Sequence, residues 1–179
     1  MKKMLLVLIC CLFATGAYAE TKPFQLSLVP DVALQSQTTY IKGVSLNIWG
    51  ENQQTGFALG FVNGSTGDSV GFSWGFLGNY AENYKGLQLG LVNYTSAKMT
   101  GAQLGFVNYT ADQMTGFQWG FVNGAEKLHG LQLGLVNYAA TADGALQVGL
   151  VNIMKETKAW FTEFPEEVTP VMVLVNWRF

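Results

Sequence analysis

The chain has 179 residues, a formal net charge of −2 and only 12% charged residues, together with 21 glycines, two cysteines and one histidine. Charged residues make up about a quarter of an ordinary soluble domain and glycine about 7%, so this is not the composition of a typical cytosolic enzyme. The length fits one domain. Basic residues do not outnumber acidic ones, which argues against a nucleic-acid partner because phosphate binding needs a basic face.

The first nineteen residues predict a signal peptide that is removed on export. Two lysines precede an apolar run over 4–13, and residues 17–19 form an A-x-A cleavage pattern. The apolar run is too short to cross a bilayer as a helix. Both cysteines, Cys10 and Cys11, lie in this segment. We therefore expect residues 20–179 to form a single β-repeat domain without disulfides, thiol catalysis or cysteine-based metal sites.

Two less regular strands are predicted over 24–34 and 40–49, and an internal repeat follows over about 56–153. Seven segments align without gaps, and they are spaced by fifteen residues except for one step of fourteen. The segments are GFALGFVN, GFSWGFLG, GLQLGLVN, GAQLGFVN, GFQWGFVN, GLQLGLVN and ALQVGLVN. Within each segment bulky apolar residues alternate with small or amide residues, and this period of two predicts a β-strand.

The stretches between the repeat segments predict turns. Asn63-Gly64 and Asn123-Gly124 are dipeptides typical of turns, and every charged residue of 56–152 lies outside the repeat segments. After the repeats we expect a loop insertion over about 155–168 and a terminal strand over 169–179. The prediction is therefore an all-β domain of about ten short strands.

The G-x-Q-x-G-L-V-N unit, its spacing, the signal peptide and the Pro-Val-Met…Val-Asn-x-x-Phe ending resemble the bacterial surface-repeat proteins first catalogued in spirochaetes. The similarity covers 56–152 and 169–179. The segment over 71–79 departs from the pattern, with Ser73 in place of glutamine and Gly78 in place of asparagine. The resemblance implies an envelope or surface location in a bacterium, and it implies no known activity.

The first architecture that fits the pattern is an up-and-down meander closing into a small outer-membrane-type β-barrel. Its bulky face would contact lipid and its glycine and glutamine face would line the lumen. Export, charge-free strands and the terminal Phe179 favour it, although three apolar side chains per strand make a thin band for a bilayer. The predicted lumen row is Gln88, Gln103, Gln118, Gln132 and Gln147.

The alternative architecture is a β-solenoid with one 15-residue coil per repeat. We expect its core to be the bulky face, which leaves the glutamine row as a flat exposed face that binds a glycan or a protein. One asparagine recurs at the same place in six units and would stack into a ladder of amides. These residues are Asn63, Asn93, Asn108, Asn123, Asn137 and Asn152.

Few residues are suited to catalysis. His129 is the only histidine, so a two-histidine metal site cannot form within one chain. A Cys–His pair is also not expected, because both cysteines lie in the predicted signal peptide. His129 itself is predicted to be a solvent-facing turn residue. We expect a non-enzymatic protein of the bacterial cell envelope, without a cofactor or metal. Its expected location is the outer membrane or cell surface, or alternatively the periplasm or the medium. Outer-membrane lipid is the expected partner, and a protein or glycan partner stays open.

The insertion offers a second candidate contact. Trp160, Phe161 and Phe164 lie close together in its sequence. They predict either a loop that binds a partner or dips into a membrane, or a cap that folds back over the end of the domain.

Overall fold

The computed structural model describes residues 20–155 and 171–179. The signal peptide and the insertion residues Trp160, Phe161 and Phe164 lie outside these ranges. The described chain forms nine strands: β1 Thr21–Val29, β2 Val32–Ala33, β3 Tyr40–Glu51, β4 Gln54–Thr95, β5 Lys98–Leu104, β6 Val107–Trp119, β7 Val122–Leu133, β8 Val136–Met154 and β9 Val171–Arg178. Neither described range contains a helix that would cross a bilayer.

The strands wind into a β-solenoid of about nine turns. Equivalent positions of successive repeats pair in parallel. Gly101 pairs with Gly86 in the preceding coil and with Gly116 in the following one. Parallel pairing continues from β1 through β8. The all-β class and the arrangement of one coil per repeat are therefore confirmed.

Closure into a β-barrel is not supported. An up-and-down meander joins neighbouring strands antiparallel, whereas antiparallel pairing among the described strands is confined to β1 with β2 and β8 with β9. Fifteen extended residues supply roughly 50 Å of chain. That length allows each unit to complete a circuit and return beside its own starting point, so the next unit stacks upon it in parallel.

Each coil consists of two extended arms joined by a bend. In one coil the first arm is β5, the bend lies at Gly105 and Phe106, and the second arm is the beginning of β6. Four side chains of this coil are fully buried in the interior: Met99, Gln103, Asn108 and Thr110. The interior therefore holds a single layer of side chains from each arm.

The bulky side chains lie on the outside. Phe76, Trp119 and Leu150 are 63%, 60% and 58% exposed, so the expectation that a solenoid would bury this face is wrong. The interior side of the strands is filled by residues such as Met99, Gln103 and Asn108, and the period of two turns the bulky residues that alternate with them outward. At the bend the coils approach closely, since a Cβ atom on Gly105 would lie 2.2 Å from the carbonyl oxygen of Gly90.

The first glycine of six of the seven repeats forms a second column of close contacts, and Ala145 takes its place in the last repeat. Gly101 and Gly116 have φ of +126° and +128°, a conformation that L-residues with a Cβ rarely adopt. A Cβ atom on Gly116 would lie 2.1 Å from the carbonyl oxygen of Gly101. Only glycine allows the backbones of successive coils to approach this closely.

Both ends of the parallel stack carry antiparallel strands. At the N-terminal end β2 folds back on β1. At the C-terminal end β9 runs against β8, so that Gln147 pairs with Asn176 and Leu146 with Trp177. The terminal coils therefore do not present an unmodified parallel edge, which limits pairing with further chains.

We expect Gly116→Ala to lower the free energy of unfolding by roughly 3 kcal/mol or more, because it combines backbone strain with a clash against backbone atoms. Urea unfolding followed by circular dichroism measures this. Thr100→Ala, at an exposed position, is the matched control. Equal unfolding midpoints for the two variants would contradict the close contact between coils.

Candidate functional site

A ladder of asparagine amides runs through the interior. The Nδ2 of each asparagine donates to the Oδ1 of the next asparagine towards the C-terminus, at 2.7–3.2 Å. Most of them also donate to a carbonyl at the end of the following first arm, as Asn108 does to Trp119 at 2.9 Å. The ladder comprises Asn47, Asn63, Asn79, Asn93, Asn108, Asn123, Asn137 and Asn152. It confirms the predicted stacking of six asparagines and adds two members.

The two added asparagines are displaced along the sequence. Asn79 lies one residue after the expected position, which Gly78 occupies. Asn47 is the register partner of Gly60, whereas Gly50 is the partner of Asn63. A Cβ atom on Gly50 would lie 2.3 Å from the Oδ1 of Asn47, so Asn47 fills the space that the glycine leaves. A search that allowed an offset between arms would have found both residues.

The predicted glutamine row is a second ladder. Gln88, Gln103, Gln118, Gln132 and Gln147 are at most 1% exposed. The Nε2 of each of the last four donates to the Oε1 of the glutamine in the preceding coil, at 2.7–2.9 Å. The row therefore lies in the core of the solenoid, and its expected exposure as a flat binding face is corrected by its burial.

The two ladders have opposite polarity. The asparagines donate towards the C-terminus and the glutamines towards the N-terminus, so their amide dipoles oppose one another. Each ladder leaves one acceptor without a partner among the described residues: Oδ1 of Asn47 and Oε1 of Gln147. The Nδ2 of Asn176, the register partner of Gln147, also has no partner among the described residues.

Outside the core, a continuous apolar face follows the solenoid axis. We define it as the outward side chains of the repeat segments, which run from the second half of the first arm through the bend to the start of the second arm. Its exposed members in the repeats are Phe57, Leu59, Phe61, Trp74, Phe76, Leu77, Leu91, Val92, Phe106, Val107, Trp119, Phe121, Val122, Leu135, Val136, Val148 and Leu150. Rings of successive coils stack, as Phe106 and Phe121 do at 4.8 Å between centroids. No charged residue belongs to this face.

A row of tyrosines borders the apolar face on the second arm. Tyr94 and Tyr109 stack at 6.2 Å, and Tyr109 donates to Glu126 at 3.0 Å, which raises its pKa. The ring of Tyr109 also covers Gly124, where a Cβ atom would lie 2.7 Å from it. Asn123-Gly124 therefore lies within β7 rather than in the predicted turn, since the glycine makes room for the neighbouring ring.

The same arrangement recurs nearer the N-terminus. Tyr80 covers Gly64, which lies within β4 rather than in a turn. The hydroxyl of Tyr80 donates to Glu51 at 3.0 Å and accepts from Nε1 of Trp49 at 3.0 Å. Burial is the largest cause of the raised pKa of Tyr80. The row thus keeps phenol hydroxyls near carboxylates.

The charged residues form an edge beyond the tyrosine row. They occupy the stretch that joins each second arm to the next first arm, and parallel pairing stacks these stretches on one another. Lys127 and Asp112 of neighbouring stretches form an ion pair at 2.9 Å. His129 lies here, exposed, with Nδ1 2.6 Å from the carbonyl oxygen of Asp143. Around the cross-section of the solenoid, the outer surface therefore changes from the apolar face to the tyrosine row and then to the charged edge.

The described residues present a surface for binding rather than a cluster of ligating side chains. Within residues 20–155 and 171–179, no group of three His, Cys, Asp or Glu side chains is placed to hold a metal ion. The buried polar groups are mainly neutral amides and hydroxyls that bond to one another. The apolar face is therefore the candidate functional site.

Comparisons of the chain with protein-family models, with curated proteins and with solved structures found no match. The similarity to the surface-repeat proteins stays a prediction from the sequence.

We expect Gln118→Glu to destabilise the fold by at least about 3 kcal/mol at pH 7. A carboxylate at this position would be buried beside the Oε1 of Gln103 and the carbonyl of Gly124, with no donor of its own. Burial raises the pKa of that carboxyl above its unfolded value of about 4.3. The native state then binds the proton more tightly than the unfolded state. Stability should therefore be retained below about pH 4 and fall as the pH rises from the unfolded pKa towards the raised native pKa.

Urea unfolding from pH 3.5 to 7.5 measures this dependence, with the unsubstituted chain followed at each pH. Gln113→Glu introduces the same group at an exposed position and should unfold like the unsubstituted chain throughout. A Gln118→Glu variant whose stability does not change relative to that control would contradict the buried ladder.

Proposed function

We propose that this protein is a non-enzymatic component of the bacterial cell envelope that lies against a lipid surface through its apolar face. The observation that carries the proposal is the extent of the face. It runs along the repeats without one charged residue. Its aromatic rings alone, each about half exposed, amount to an area on the order of 700 Å², because each ring presents ~150–250 Å² when fully free. The largest apolar patch of a typical monomer is about 300–600 Å².

The backbone supports contact with lipid. In hydrocarbon every peptide N–H and C=O must be bonded within the protein. The sides of a solenoid meet this condition, because the peptide groups of the arms pair with the coils before and after them. The apolar face can therefore enter the acyl region without exposing unpaired peptide groups.

The tyrosine row fits the boundary between lipid and water. Tyrosine and tryptophan favour the level of the headgroups, since one part of each ring is apolar and the other is polar. Tyr80, Tyr94, Tyr109 and Tyr138 lie between the apolar face and the charged edge. This order is that of an element that lies in the plane of an interface.

Export and the envelope location rest on the predicted signal peptide and on the resemblance to surface-repeat proteins. The alternative function is binding of a polymer through the glutamine row. It would need these glutamines to be exposed, whereas they are buried in the core. A protein partner remains as a competing occupant of the apolar face, most simply a second copy of the chain.

The proposal is tested by flotation of residues 20–179 with vesicles of phosphatidylethanolamine and phosphatidylglycerol on a density gradient. We expect the chain to float with the vesicles and Phe121→Lys to reduce the floating fraction at least about threefold. A lysine there places a charge in the apolar region, which costs roughly 1 kcal/mol or more. Gln113→Lys adds the same charge at the charged edge and should float like the unsubstituted chain.

Two results would overturn the proposal. One is equal flotation of Phe121→Lys and Gln113→Lys. The other is a chain that stays out of the lipid fraction and sediments as a dimer that Phe121→Lys dissociates, which would assign the apolar face to a second copy.

A further inference from the structure

The tyrosine row holds two carboxylates that no cation neutralises. Tyr80 donates to one carboxylate oxygen of Glu51, and Tyr109 donates to one of Glu126, each at 3.0 Å. Neither glutamate forms an ion pair within residues 20–155 and 171–179. The second oxygen of each carboxylate has no hydrogen-bond partner in these ranges, and both side chains are partly exposed. Each glutamate can therefore accept from a cation in the surroundings.

A primary ammonium of the chain itself already contacts the tyrosine row. The Nζ of Lys155 lies 5.3 Å from the centroid of the Tyr138 ring, within the distance of about 6 Å at which a cation and an aromatic face attract each other. Lys155 follows Tyr138 by 17 residues, the same separation at which Glu126 follows Tyr109. The following coil thus supplies a carboxylate to one tyrosine and an ammonium to another.

The sign of the charge decides what kind of group the row attracts. Tyr94 and Tyr109 stack with an angle of 13° between their rings, and Tyr94 is 40% exposed. The face of an aromatic ring is the negative part of its quadrupole, so ring faces and carboxylates both favour a cation. A phosphate would be repelled by Glu51 and Glu126. The row therefore fits the ammonium end of a ligand.

We infer that the tyrosine row binds the primary ammonium groups of phosphatidylethanolamine headgroups. The ammonium has three donors. It bonds to the unpaired carboxylate oxygen of Glu51 or Glu126 and lies against a neighbouring tyrosine ring, as Lys155 does on Tyr138. The inference rests on the proposed function, since a chain whose apolar face enters the lipid brings the tyrosine row to the level of the headgroups. It adds which lipid the row recognises.

Flotation with two kinds of vesicle tests the recognition. Both contain the same fraction of phosphatidylglycerol, and the remainder is either phosphatidylethanolamine or glucosyl diacylglycerol, which is neutral and carries no ammonium. We expect residues 20–179 to partition at least about fivefold more strongly to the first kind. Glu51→Gln/Glu126→Gln keeps an acceptor for each tyrosine and removes both charges, so it should lose this preference. Asp68→Asn/Asp143→Asn removes two charges where lysines line the same clefts and should keep it.

A titration with glycerophosphoethanolamine, the soluble headgroup, measures recognition without a lipid surface. We expect the ring NMR signals of Tyr94, Tyr109 and Tyr138 to shift, and Glu51→Gln/Glu126→Gln to reduce the shifts at least about threefold. Equal flotation with both kinds of vesicle, or a preference kept by this double variant, would overturn the inference while flotation itself still supports the proposed function. For a chain that floats with neither kind, the proposed function is overturned. The titration then decides the inference, and unshifted ring signals would overturn it as well.

Discussion

The hydrogen bond from the amide of one coil to the amide of the next is the interaction on which this fold depends. A buried amide without a partner costs free energy comparable to a lost hydrogen bond. The side-chain amides of Asn108 and Gln118 bond to their counterparts because the neighbouring coils present the same residue at the same height. The ladders therefore fix the register of pairing, and one residue of slippage would turn the amides away from the interior and leave their partners unpaired.

The outer surface follows from this interior. Because the space between the arms holds amides, hydroxyls and a few methionines, the bulky residues that alternate with them must point outward. Trp119 is exposed because the neighbouring Gln118 is buried on the same arm. An apolar exterior and a hydrogen-bonded interior are thus two results of one alternating pattern, and the charged residues are confined to the stretch where the alternation is interrupted.

The alternation allowed the strands, the period and the asparagine ladder to be predicted from the sequence. It could not decide the architecture, because a period of two fixes which side chains share a face and leaves the pairing partner open. The side-chain arrangement predicted for the barrel, with Gln118 inside and Trp119 outside, appears in the solenoid instead. The solenoid was predicted with the bulky residues inside since apolar burial usually dominates, whereas the interior is occupied by hydrogen-bonded amides such as those of Gln103 and Gln118.

The repeated contacts between coils also have a consequence for how the length of such a chain can change in evolution. Each interior coil, as at Gly101, meets the same backbone on either side, so duplication or loss of one unit would leave the cross-section intact and alter only the length, by about 4.8 Å. The fourteen-residue step between Gly120 and Gly134 already shows that the stacking accommodates a missing residue outside the ladders. Size in this architecture can therefore vary in discrete increments, with the antiparallel ends kept as fixed terminators.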